Sequence, residues 1–179
     1  MQQSWRSDAD KLTFIICQPD ENKQSPRDGR LDLVSMVGDA NLFISTADDE
    51  DGITTMIGEL ELMIAEQSEQ RKGYGRAALL AFLNYILYHE IDLMREFHAG
   101  QATSTPKLSS FNHFVVKIGE TNYRSIALFE DLGFCKTGGI PSYFGEYELR
   151  LQRDRINLES LARKRGLLDG YRERSYSCP

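Results

Sequence analysis

The sequence predicts an α/β fold, antiparallel strands combined with helices, built as one domain. Three observations lead there. Three β-rich runs follow one another between Lys11 and Ala65, with turn residues between them. A run with helical apolar spacing then extends from Arg76 to about Met94, and a strand, a short helix and two more strands complete the regular part by Gln152.

The first strand is "KLTFIICQ", Lys11 to Gln18, rich in β-branched and aromatic residues. "PDENKQSPRDG", Pro19 to Gly29, combines proline, glycine and charge into a long hairpin connection. The second strand region, "LVSMVGDANLFIST" (Leu33 to Thr46), is returned by the acidic turn "ADDEDG" into "ITTMIGELELMIA" (Ile53 to Ala65). Strands joined by so short a turn are antiparallel neighbours. In the third, Glu59 and Glu61 alternate with Leu60 and Leu62, so two carboxylates leave one face and two leucines the other.

Leu80, Leu83, Leu87, Ile91 and Met94 form one apolar stripe, which predicts a single helix. "REFHAGQATSTPKLSSFN", Arg95 to Asn112, has no periodicity and reads as a surface loop. "HFVVKIG" (His113 to Gly119) is a strand, "ETNYRSIALFEDLGF" (Glu120 to Phe134) holds a short helix ended by Gly133, and strands follow around Cys135 to Ile140 and Tyr143 to Gln152. The tail from Arg153 to Pro179 is basic; it reads either as an amphipathic helix or as a solvated extension.

With 179 residues and 41% hydrophobic content the chain can fill one core. A formal net charge of -6 argues against a nucleic-acid or membrane-surface binder, because both need a broad cationic face. Cys17, Cys135 and Cys178 are widely spaced and form no C-x-x-C pair, so neither a disulfide framework nor a metal site is expected. With no apolar leader or spanning segment, the expectation is an intracellular, cytoplasmic protein.

The chemistry concentrates in "EQRKGYGRAALLAFLNYI", Glu69 to Ile86. Gly73 and Gly75 stand where a strand hands over to a helix, and let the backbone expose the N–H groups of a helical first turn. With Arg71, Lys72 and Arg76 around it, such a turn holds a phosphate or pyrophosphate. "GYGRAA" also fits the loose dinucleotide pattern, but that pattern belongs after the first strand of a parallel unit, whereas antiparallel strands precede it here. No G-K-[ST] follows, which excludes a Walker loop.

"IAEQSEQRKGYGRAAL" resembles the coenzyme A pyrophosphate loop of the GNAT superfamily of N-acetyltransferases, [QR]-x-x-G-x-[GA], matched by Gln70, Gly73 and Gly75. "TNYRSIALFEDLGF" resembles that superfamily's second motif, an asparagine after a strand and a helix ending in L-G-F. More narrowly, "MVGDANLFIS", "GELELMIAE" and "KIGETNYRSIALF" look like the N-acetyltransferase 9-like family.

The resemblance implies the acyl-CoA N-acyltransferase fold, a mixed, largely antiparallel twisted sheet flanked by helices, with acetyl-CoA as donor, no metal, and a protein or peptide amine as acceptor. It implies two splayed strands, one ending near Ala65 and one beginning near Phe114, that admit the pantetheine arm. Met63, Ile64 and Ala65 would line that arm, with an N–H near Ile64 polarising the thioester carbonyl. Gln70, Arg71, Lys72, Gly73, Tyr74, Gly75 and Arg76 would hold the pyrophosphate. Asn122 and Ser125 would contact the cofactor, although Asn122 also reads as a helix N-cap. Glu59 and Glu61 are the candidate bases, and an exposed acidic strand face is the alternative for both.

The superfamily's tyrosine donor to the departing thiolate is replaced by Phe129, leaving Tyr123, Tyr143 or a water. "MQQSW" resembles only the end of the superfamily's second helix, so the expectation is a domain over residues 1–152 that lacks most of the first strand and first two helices. A non-catalytic GNAT-fold binding protein and a nucleotide-binding module are the competing readings.

Overall fold

The computed structural model describes residues 8–18, 35–48, 51–101, 108–156 and 171–173. The expected hairpin connection at 19–29, the segment 1–5 and most of the basic tail lie outside them. Among the described residues six strands form one sheet: β1 (Lys11–Cys17), β2 (Met36–Asp48), β3 (Thr54–Ile64), β4 (His113–Gly119), β5 (Cys135–Lys136) and β6 (Glu146–Gln152), in the order β1-β2-β3-β4-β6-β5. All neighbours are antiparallel except β3 and β4, which are parallel. The largely antiparallel mixed sheet is thus observed.

The parallel step needs a crossover, supplied by helices α1 (Tyr74–Tyr88) and α2 (Glu90–Gly100). Helix α3 (Tyr123–Asp131) makes the second crossover, from β4 to β5. Both run in the same direction across the sheet, so right-handed connections place these three helices on one face. The core agrees: Leu42, Leu60, Phe114, Val116 and Leu149 of the sheet cluster with Leu80 and Leu83 of α1, Phe97 of α2 and Phe129 of α3. The other face carries the alternate residues, among them Asn41, Glu59, Glu61, Lys117 and Arg150.

Three expectations are corrected. The single helix from Arg76 to Met94 is two helices, bent by 71° at His89. Ile91, expected in the apolar stripe, is 68% exposed, whereas Met94 and Phe97 are buried. The bend has an identifiable polar cause: Glu90, only 5% exposed, turns inward, where its Oε1 accepts from the Phe111 N–H (2.9 Å) and its Oε2 from Arg153 Nη2 (2.7 Å). The loop expected from Arg95 consequently starts only after Gly100. The last two strands are shorter than expected, because Thr137 to Gly145 forms an exposed turn with Ile140, Tyr143 and Phe144 in solvent.

Candidate functional site: a wedge between two parallel strands

β3 and β4 are paired only at Ile57–His113, Gly58–Phe114 and Glu59–Val115. Beyond Glu59, β3 runs on to Ile64 with β2 still alongside it, and beyond Val115, β4 runs on to Gly119 alongside β6. The two halves of the sheet therefore part into a wedge whose apex is the Glu59–Val115 pair.

Backbone alternation decides which groups line it. The Met56 carbonyl accepts from the Asn112 N–H at 2.8 Å, so even-numbered residues of β3 turn their polar groups toward β4. Ala65 N–H donates to the Val37 carbonyl at 2.8 Å, so the odd-numbered ones turn toward β2. Leu62 and Ile64 lie past the last β3–β4 pair, and their N–H groups face the gap. The N–H of Ala65, a residue expected to line the pantetheine arm, donates to Val37 on the other side. The exposed Met63 side chain stands on the open face.

At the mouth of the wedge the chain makes a short 3-10 turn, Gln67–Glu69, and enters α1 through two left-handed residues, Arg71 (φ 66°) and Gly73 (φ 94°). Gly73 is the N-cap and offers no side chain to the helix, whose first turn, including Tyr74, contains no acidic residue. The first-turn N–H groups therefore lack side-chain partners within the helix and meet the positive end of its dipole. Gly75 sits close against the wedge: a Cβ there would stand 3.7 Å from Leu62 and Leu128 and 3.9 Å from Ile64.

The basic residues of the turn are more engaged than the sequence suggests. Lys72 pairs with Glu69 at 2.8 Å, and this bond chiefly holds the Glu69 carboxyl below its usual range. Arg76 pairs with Asp131 of α3. Such exposed pairs are weak, so an anion could compete for either cation. Gln70 Nε2 donates to the Ile64 carbonyl at 2.9 Å, which ties the turn to the strand end.

Across the wedge, Asn122 caps α3: its Oδ1 accepts from the Ser125 N–H at 3.2 Å, and its own N–H donates to Gly119. The N-cap role is realised, and it uses the Ser125 N–H. Tyr123 is 73% exposed in the first turn of α3 and Tyr143 is 97% exposed in the β5–β6 turn. Phe129 is buried, edge-on to Phe134.

The two candidate bases differ. Glu59 Oε2 accepts from Lys117 Nζ at 2.8 Å, a bond that is the main reason the Lys117 amine is held above its usual range. Glu61 is exposed, lies opposite Asn41 and is one step nearer Ile64. Asn41 is buried between Thr13 Oγ1, which donates to its Oδ1 at 2.7 Å, and Asp39 Oδ2, which accepts from its Nδ2 at 2.7 Å. Sequence reasoning missed Lys117. The lone cation in "HFVVKIG" was the available signal, but only strand register reveals its partner.

A cavity of about 640 Å³ lies at the other end of α1, between that helix and β1, where His89 Nε2 meets Glu173 Oε2 at 2.7 Å. It shares no lining residue with the wedge.

Comparison with known proteins agrees with this geometry. The family profile described as "Acetyltransferase (GNAT) domain" matches residues 1–135. The chain is 35% identical to an N-acetyltransferase 9-like protein of Schizosaccharomyces pombe, over 86% of this chain and 75% of that one. It is 37% identical to the human alpha/beta-tubulin-N-acetyltransferase 9, over 84% of this chain and 60% of that one. The chain thus spans under two thirds of the human relative's length. In fold it is similar to Arabidopsis thaliana NAA60 in complex with acetyl-CoA, with a TM-score of 0.50 at 10% identity over 81% of this chain and 77% of that one.

Proposed function

The chain belongs to the GNAT acetyltransferase family, alongside the N-acetyltransferase 9-like proteins, and on that premise we propose that it transfers the acetyl group of acetyl-CoA directly to a protein or peptide amine. The observation that carries this reading is the wedge: a parallel pair of strands that stops after three residue pairs and opens toward a left-handed, side-chain-free helix start. The parted strands leave unpaired backbone on both sides of the gap for an extended chain, and the helix start supplies donors for its anionic end.

The first-turn N–H groups of α1 hold the pyrophosphate, with Arg71 and a displaced Lys72 beside it. The pantetheine arm lies along Leu62 and Ile64, whose inward N–H groups donate to the thioester oxygen and to the oxyanion that forms on attack. Glu61 takes the proton of the attacking amine, directly or through water, since Glu59 is held by Lys117. The thiol of coenzyme A is a good leaving group, and a water serves as its proton donor.

Because relatives in Homo sapiens, Drosophila melanogaster and Mus musculus are named for α- and β-tubulin, peptides of those proteins are the first acceptors to assay. The test is calorimetric titration of the full chain with acetyl-CoA beside Gly73→Val, whose branched side chain cannot hold φ 94° without strain. Saturable binding by the wild type, lost in a variant that retains its circular dichroism, is expected. A folded wild-type chain that does not bind would overturn the donor assignment and leave a non-catalytic scaffold.

A further inference from the structure

β4 is buried at His113 to Val116 and again at Ile118, and between them Lys117 is exposed. It stands two residues, about 7 Å, beyond the apex of the wedge, within reach of its own four-carbon stem. Its Nζ hydrogen-bonds Glu59, the last residue of β3 still paired with β4, at 2.8 Å. Glu148 lies opposite it on β6, and Glu146 one step further, opposite Gly119. A primary amine is thus anchored on a carboxylate at the apex toward which the proposed pantetheine arm runs, the arrangement an acceptor amine requires.

We propose that Lys117 is itself an acetyl acceptor, so that the chain, loaded with acetyl-CoA and lacking a substrate amine, acetylates its own Lys117 Nζ. The inference rests on the donor assignment proposed above. Glu59 takes one proton from the ammonium and passes it to solvent, and the freed lone pair forms the N–C bond at the thioester carbonyl. The C–S bond then breaks, and the second amine proton is taken up by the departing sulfur through water. The products are an amide at Lys117, free coenzyme A and one released proton.

The ion pair that anchors the amine also favours its charged form, so the reaction is stoichiometric and slow beside peptide turnover. Its consequence is local: the amide carries no charge, and Glu59 loses its cation.

The experiment incubates the full chain with acetyl-CoA and no acceptor, and follows intact mass and mapped peptides over time. Calorimetric titration and peptide turnover are measured on the same preparation. The expected result is a single added acetyl group on the peptide containing Lys117, absent in Lys117→Arg, which keeps the cation, and absent in Gly73→Val. A wild-type chain that binds acetyl-CoA and acetylates a peptide while Lys117 stays unmodified overturns this proposal and leaves the donor assignment standing. Failure to bind acetyl-CoA overturns both. Acetyl groups scattered over exposed lysines, accumulating equally in Gly73→Val, signify uncatalysed transfer and also overturn it.

Discussion

Glu59 and Glu61 leave the same face of one strand, yet their neighbours divide the work between them. Glu59 Oε2 already accepts from the Lys117 ammonium, so an acceptor amine would have to displace that cation to reach it. Glu61 stands nearer the N–H groups that would receive the thioester oxygen. Glu61→Gln should therefore lower kcat for a peptide acceptor by about 100-fold, the lower end of general-base contributions, while the acetyl-CoA Kd stays within twofold. Unaltered kcat would remove Glu61 as the base and return the role to Glu59, at the cost of breaking its ion pair. Both carboxylates could be read from alternation in "GELELMI" alone. Their difference could not, because Lys117 lies 58 residues away and meets Glu59 only through the β3–β4 register.

The glycine turn shows the same division at the scale of elements. Its position, its bare glycine start at Gly73 and the cap on α3 at Asn122 are local properties, and local sequence conveys them. The bend at His89 was not legible: Leu80 to Met94 keeps one helical period, and the bend depends on Glu90 reaching partners at Phe111 and Arg153. Nor were the Lys72–Glu69 and Arg76–Asp131 pairs, which occupy cations expected around the anion. Gly75 provides a test of the turn in which the backbone is not strained. Gly75→Ala meets only ordinary contacts at 3.7 Å and should bind acetyl-CoA nearly as the wild type does, whereas Gly75→Leu presses on Leu62 and Leu128 beside the wedge. The leucine variant should weaken binding by about tenfold or more, a loss of about 1.4 kcal/mol, without loss of helix content. Equal affinities for the two variants would mean that the ligand does not pass along this helix start.

At the scale of the whole molecule, a wedge can open at one end only if the other is held shut. The Asn112 backbone does part of this, donating to Met56 of β3 and accepting from the Arg153 N–H just beyond β6. Glu90 completes the clamp from the helix side, because one carboxylate holds the Phe111 N–H and the Arg153 guanidinium together. Its burial makes the tie costly to break: Glu90→Ala leaves a donor at Phe111 without its acceptor and a guanidinium without its carboxylate. An unsatisfied buried N–H costs about 1–3 kcal/mol, and loss of a fully buried ion pair about 3–5 kcal/mol. The Arg153 side chain is 44% exposed and regains water, so the ion-pair part falls below that range and a total of about 3 kcal/mol is expected from urea unfolding. Glu90→Gln keeps an oxygen for Phe111 and should lose roughly half as much, since only the charge is removed. If the clamp sets the wedge, Gln should also leave the acetyl-CoA Kd unchanged while Ala raises it. Equal stabilities for Ala and Gln would show that the charge on Glu90, rather than its hold on the Phe111 N–H, closes the base of the wedge.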